Sequence, residues 1–172
     1  MLTLLKLLQY LVRTLHSDGT SGQVAAGVTL GAALGLTPLM SVHNLVVVGA
    51  ILLLDVSVGG AFLGFLVFTP AGFMLDPGFD RLGAVLLESP AIRGLWTALY
   101  NTPGPPLSNF NNTIVLGSVL AWAVLAFPMY FASRTLVTRY RATVGARVRN
   151  SKWYKAITAS RLVGVYRLMR PE

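Results

Sequence analysis

Residues 22–54 read GQVAAGVTLGAALGLTPLMSVHNLVVVGAILLL, without one Lys, Arg, Asp or Glu. Thr37-Pro38 divides this stretch into two apolar runs. The first has about 15 residues and reaches ~22 Å as a helix, short of the roughly 30 Å hydrocarbon core of a bilayer. The second, Leu39 to Leu54, is also short and carries His43 and Asn44 near its start. Two short helices around a proline predict a hairpin that enters an apolar medium and turns back. Backbone groups freed at such a turn must be buried in protein or face a wet cavity. Gly27, Gly31 and Gly35 recur every four residues on one face of the first helix. Three glycines in a soluble helix would cost about 3 kcal/mol relative to alanine. Close approach of a second backbone offsets that cost, so the spacing is a packing signal and specifies no activity.

The pattern has an echo. Residues 27–38, GVTLGAALGLTP, resemble residues 59–70, GGAFLGFLVFTP: Gly27 corresponds to Gly59, Leu34 to Leu66, and Thr37-Pro38 to Thr69-Pro70. Gly60 and Gly64 offer the second unit a small-residue surface. A second break is therefore predicted at Thr69-Pro70, with a turn at Asp76-Pro77-Gly78. Paired broken helices of this kind mark the binding sites of some transporters.

Outward from this core, residues 1–16 place Thr3, Lys6, Gln9, Arg13 and His16 on one stripe among leucines, an amphipathic helix suited to a membrane interface. The membrane core is expected over 22–100, with Pro90 opening a helix at Ala91 to Tyr100. Residues 101–112, NTPGPPLSNFNN, form a stiff proline-rich connection. Residues 113–133 are expected to form the full transmembrane helix, and 134–172 a basic tail. The fold class is all-α: two short, Pro-broken, re-entrant-like hairpins, one full span, and amphipathic helices at both ends.

Composition agrees with this reading. The 172 residues are 54% hydrophobic and 12% charged, where soluble domains carry about 25% charged residues. A chain this short has too few polar groups to cover a soluble surface. The net charge of +8 suggests nucleic acid only until it is located. Residues 134–172 hold ten of the fourteen Lys and Arg, among them Arg139, Arg141, Arg147, Arg149, Lys152 and Lys155. Basic residues right after an apolar span mark the cytoplasmic side and attract anionic headgroups, so the bilayer and not nucleic acid is the expected partner.

No cysteine is present, which removes disulfides and thiolate chemistry. Two histidines are too few for a histidine-rich metal site, and no cofactor is expected. The sequence has no Ser-His-Asp order, phosphate loop or HExxH spacing. Polar residues gather instead at the breaks: Thr37, Pro38, Ser41, His43 and Asn44 in the first unit, Thr69, Pro70, Asp76 and Asp80 in the second. Of these, Thr37, Pro38, His43, Asn44, Thr69, Pro70 and Asp76 are the candidate contacts for substrate, lipid or partner. The simpler role for His43 and Asn44 is to tie the hairpin turn to its neighbour, because buried polar groups need partners in any case.

Residues Ala25 to Val46 resemble a bacterial inner-membrane family classed as a domain of unknown function. Gly27, Gly31, Gly35, Pro38 and His43 match its first motif, and the likeness extends over roughly residues 1–135. The family's second motif is usually Asn-Pro-x-Thr; here Thr69-Pro70 stands in its place, so a role for that asparagine does not carry over. The resemblance implies an inner-membrane protein of two hairpin-like units with no established enzyme activity. It also implies service as a membrane partner of long envelope proteins that move lipid between membranes.

The expected function is thus a non-enzymatic membrane subunit of an envelope lipid-transport assembly, with a larger envelope protein as partner. The alternative is a small oligomeric secondary transporter or channel with a closed polar cavity around His43, Asn44 and Asp76. A lipid-modifying enzyme is the weakest reading, because no nucleophile or base stands beside an orienting group.

Overall fold

The computed structural model describes residues 19–143. The expected interfacial helix at 1–16, and Arg147, Arg149, Lys152 and Lys155 of the tail, lie outside the described residues. Among the described residues every regular element is helical: α1 (Ser21–Leu36), α2 (Val42–Leu53), α3 (Val58–Glu88), α4 (Arg93–Tyr100) and α5 (Thr113–Thr143), with 3-10 turns at Pro90–Ile92 and Pro105–Ser108.

A reciprocal cap starts α1. Gln23 N–H donates to Thr20 Oγ1 (3.2 Å) and Thr20 N–H donates to Gln23 Oε1 (2.7 Å), so each satisfies a backbone donor of the other. The helix stops at Thr37, whose φ of −105° and ψ of 153° are the extended values that a following proline favours. α2 then returns. Its far end brings Asp55 to Gln23, whose Nε2 donates to it at 2.6 Å, and Ser57 N–H donates to Gln23 O at 3.1 Å. α3 begins there, capped by Ser57 Oγ on Gly60 N–H.

α3 therefore runs parallel to α1, and the two backbones touch. A Cβ at Gly27 would overlap the Ser57 carbonyl, and one at Gly31 the Ala61 carbonyl. One at Gly35 would lie 2.8 Å from Thr69 N. From the other side, Gly60 rests on the Val24 carbonyl, Gly64 on that of Val28 and Gly72 on that of Gly35. α5 runs antiparallel to both. Gly83 lies against Thr113, Gly117 lies against Phe79, and Trp122 Nε1 donates to Thr29 O at 2.9 Å. At the far end Arg141 Nη1 donates to Gly19 O at 2.9 Å. The buried apolar residues are mostly small, with Val24, Ala25, Ala32, Ala33 and Ala61 among them.

The second break expected at Thr69-Pro70 does not form, nor does the turn at Asp76-Pro77-Gly78. α3 passes through Pro70 and Pro77 as one helix of 31 residues. An interior proline removes one hydrogen bond and costs about 3 kcal/mol. Both rings are exposed, directed away from the bundle. Gly64 and Gly72 bracket Pro70 and both rest on α1, so packing fixes the helix direction on either side of it. Phe79 and Gly83 do the same on α5 beyond Pro77. The second Pro-broken hairpin is replaced by a single long helix.

Among the described residues two helices, not one, are thus long and apolar enough to cross a membrane: α3, with mean hydropathy 1.8, and α5, with 2.0. Only 28% and 17% of their most apolar windows are buried, unlike core helices of a soluble protein. α5 also extends ten residues past the expected end at 133, so Arg139 and Arg141 stand on its last turns. Polar groups collect at two ends. One end holds Gln23, Asp55, Arg134 and Arg141; the other holds Asp76, Asp80 and the 109–112 loop. Between them α3 from Val58 to Leu75 carries no charge over ~27 Å, and α5 from Ile114 to Ser133 none over ~30 Å.

Replacing Gly31 by Val should lower stability by about 1–3 kcal/mol, the cost of overpacking. Thermal melting followed by circular dichroism should show it. Gly49→Ala is the contrast: a Cβ there has nothing within 4 Å, and the melting temperature should hold or rise.

Candidate functional site at the hairpin turn

The α1–α2 turn is built around Asn44. Its Oδ1 accepts from Thr37 Oγ1 at 2.9 Å, and its Nδ2 donates to Pro38 O (2.9 Å) and Leu39 O (3.2 Å). Asn44 is buried, and so is Thr37, whose hydroxyl also contacts Ala33 O at 2.8 Å. One amide thereby takes up two carbonyls of the turn that follows the helix end. This is the tying role weighed for the His43-Asn44 pair, filled by Asn44 alone. His43 is half-buried on the first turn of α2, and its Nε2 is buried with no hydrogen-bond partner among the described residues.

Beside the turn lies an open cavity of about 560 Å³. Pro38, Met40 and Ser41 line it from the turn, Asp76 from α3, and Asn109, Asn111, Asn112, Ile114 and Val115 from the loop and the start of α5. Its size is that of a small-molecule site. Ser41 is 8% exposed and directly precedes α2, yet its side chain makes no capping bond. Asn112 caps α5 by accepting from Val115 N–H at 3.1 Å. Asp80 accepts a short hydrogen bond from Thr113 Oγ1. The N-terminal ends of α2 and α5 both border the cavity.

The cavity unites Pro38 and Asp76 of the expected contacts, with Ser41 from the polar residues at the break, but not Thr37, His43, Asn44, Thr69 or Pro70. A closed cavity around His43, Asn44 and Asp76 is not what Asp76 faces. Thr69 is spent within its own helix, donating to Phe65 O at 2.6 Å, and Pro70 is exposed. The asparagines of the 109–112 loop were not among the expected site residues. A cluster of Asn after a proline-rich stretch, directly before an uncharged helix, is the signal that could have found them. No group of three His, Cys, Asp or Glu among the described residues could hold a metal ion.

The described residues define a helical fold with two helices long and apolar enough to cross a membrane and a polar cleft where one apolar hairpin turns. The chain belongs to the family described as "Uncharacterized protein conserved in bacteria (DUF2062)", whose model matches residues 5–144. It is similar to an uncharacterized protein of Treponema pallidum (strain Nichols), 28% identical over 144 residues, covering 82% of this chain and 87% of the relative. No solved structure matches it.

Asn44→Leu keeps the size of the side chain but orphans the Pro38 and Leu39 carbonyls, while the Thr37 hydroxyl still has Ala33 O at 2.8 Å. With about 1 kcal/mol net per hydrogen bond, and more for a buried group left unsatisfied, the loss should be about 2–4 kcal/mol. Hydrogen exchange should rise at the Thr37 and Asn44 amides, which donate to Ala33 O and Ser41 O, before it rises in α5.

Proposed function

We propose that this protein is a multi-pass protein of the bacterial inner membrane, with its basic tail in the cytoplasm, and that it serves as a non-enzymatic membrane subunit of an envelope lipid-transport assembly. The observation that carries this reading is the α1–α2 hairpin. On α2 only Asn44 and Ile51 are buried, while Leu45, Val46, Leu52 and Leu53 are 69–87% exposed. The hairpin thus offers an apolar arm that leads, through exposed Met40, into a polar cleft. An amphiphile has this distribution of surface: acyl chains along the arm and a headgroup at the cleft. Soluble monomers rarely expose apolar patches beyond a few hundred Å².

The orientation follows from the two polar ends. Arg134, Arg139 and Arg141 lie at the end opposite the Asp76 cleft, and the rest of the basic tail follows them in sequence. Under the positive-inside rule that end faces the cytoplasm and the cleft faces the outer side of the membrane. The hydroxyls of Thr29 and Thr69, within the uncharged stretches, each donate to the carbonyl four residues back, a way to satisfy a hydroxyl where water is scarce. The transporter reading loses its main support, because α3 is continuous where paired broken helices require a gap.

The chain has no cysteine, so single-cysteine variants report topology cleanly. In intact spheroplasts an impermeant maleimide should label Asn101→Cys and leave Arg139→Cys unlabelled until the membrane is opened. Gentle extraction into polymer nanodiscs should bring out a larger envelope protein together with phospholipid. Recovery of an isolated, lipid-free monomer would count against the subunit role.

A further inference from the structure

The cavity at the hairpin turn carries opposite electrostatic features. On one side it meets two helix N-termini, α2 after Ser41 and α5 at Ile114 and Val115. Such ends carry about half a positive charge and backbone N–H groups without an intrahelical partner, a setting for phosphate, although on α5 the Val115 N–H is already taken by Asn112 Oδ1. Ser41 reinforces the first. More than nine-tenths of the residue is buried, it lines the cavity, and its hydroxyl makes no hydrogen bond among the described residues. Asn109, Asn111 and Asn112 add amide groups. Asp76 contributes a carboxylate with no ion-pair or hydrogen-bond partner among the described residues. The nearby Asp80 is turned to Thr113.

A simple anion would meet the Asp76 charge, and a simple cation would leave Ser41 and the helix ends unused. A zwitterion with a phosphate and an N–H-bearing ammonium satisfies both. We propose that this cleft binds a phosphoethanolamine headgroup, with the phosphate at Ser41 and the helix N-termini and the primary ammonium at Asp76. The apolar arm of α2 starts at the cleft, so the molecule that fits the whole surface is an aminophospholipid. This deepens the lipid reading above and rests on it.

The test uses the full chain in vesicles of phosphatidylethanolamine and phosphatidylglycerol in equal parts, followed by native mass spectrometry of the lipids retained. The protein should retain phosphatidylethanolamine over phosphatidylglycerol about tenfold, the ratio that one strong charge-assisted contact supplies. Asp76→Asn, nearly isosteric, should reduce that preference to near unity, with the melting temperature confirming an intact fold. Ser41→Ala should weaken retention of both lipids. Phosphatidylcholine, whose ammonium has no N–H, should be retained less than phosphatidylethanolamine. Soluble glycerophosphoethanolamine tests the source: displacement only at large excess supports the lipid, whereas displacement at lipid-equivalent concentration overturns it in favour of a free metabolite. Equal retention of phosphatidylglycerol by the unaltered chain, or an unchanged preference in a folded Asp76→Asn chain, also overturns the proposal. The two readings fail separately. A larger partner recovered without headgroup preference sinks only the cleft assignment, and headgroup preference without a partner sinks only the subunit role.

Discussion

The contact between the α1 and α3 backbones is the constraint on which the rest depends. Glycines on both helices remove the side chains that would hold them apart, and carbonyls of one helix sit where Cβ atoms of the other would be. Such a contact gains dispersion along its whole length and orders no side chains. It also fixes direction. Because α1 and α3 run parallel, the chain between them must travel back the full length of α1. α2 is that return, twelve residues long, and it finds no place in the glycine seam. Its exposure is a consequence of the seam.

The same constraint explains why one Thr-Pro pair ends a helix and the other does not. The Thr37 and Thr69 hydroxyls both lie within hydrogen-bond distance of the carbonyl four residues back, at 2.8 and 2.6 Å. After Pro38 the chain meets Asn44, which takes up the Pro38 and Leu39 carbonyls and makes the broken form self-sufficient. After Pro70 it meets Gly72, which α1 already holds through the Gly35 carbonyl. Leaving the helix there would forfeit that contact and the packing of Phe79 and Gly83 on α5. A proline penalty of about 3 kcal/mol is smaller than the loss of a whole packed half-helix. The continuous helix wins, and it carries Asp76 to the level of the hairpin turn, where the cleft forms.

The echo between residues 27–38 and 59–70 takes on a different meaning in three dimensions. Two similar segments suggested two similar units, each broken at its proline. The structure pairs them with each other: they lie side by side, parallel, and supply the two halves of one seam. An inverted repeat would have placed them in opposite directions.

The sequence by itself determined the helical class, the hairpin at Pro38, the packing character of Gly27, Gly31 and Gly35, and the uncharged length of α5. These properties are local or periodic, written within a few turns of chain. It could not determine whether Pro70 breaks its helix, because that balance is struck by contacts with α1 and α5, which lie far away in sequence. Nor could it assemble the cleft. Ser41, Asp76 and Asn112 are each unremarkable polar residues at the ends of apolar runs, and only the parallel seam and the antiparallel return of α5 bring them to one place. Tertiary structure decided that Asn44 would be consumed by the turn while Ser41 and Asp76 were left open. The physical reason is that a buried polar group takes the nearest complementary backbone, and which groups find none depends on how the helices pack.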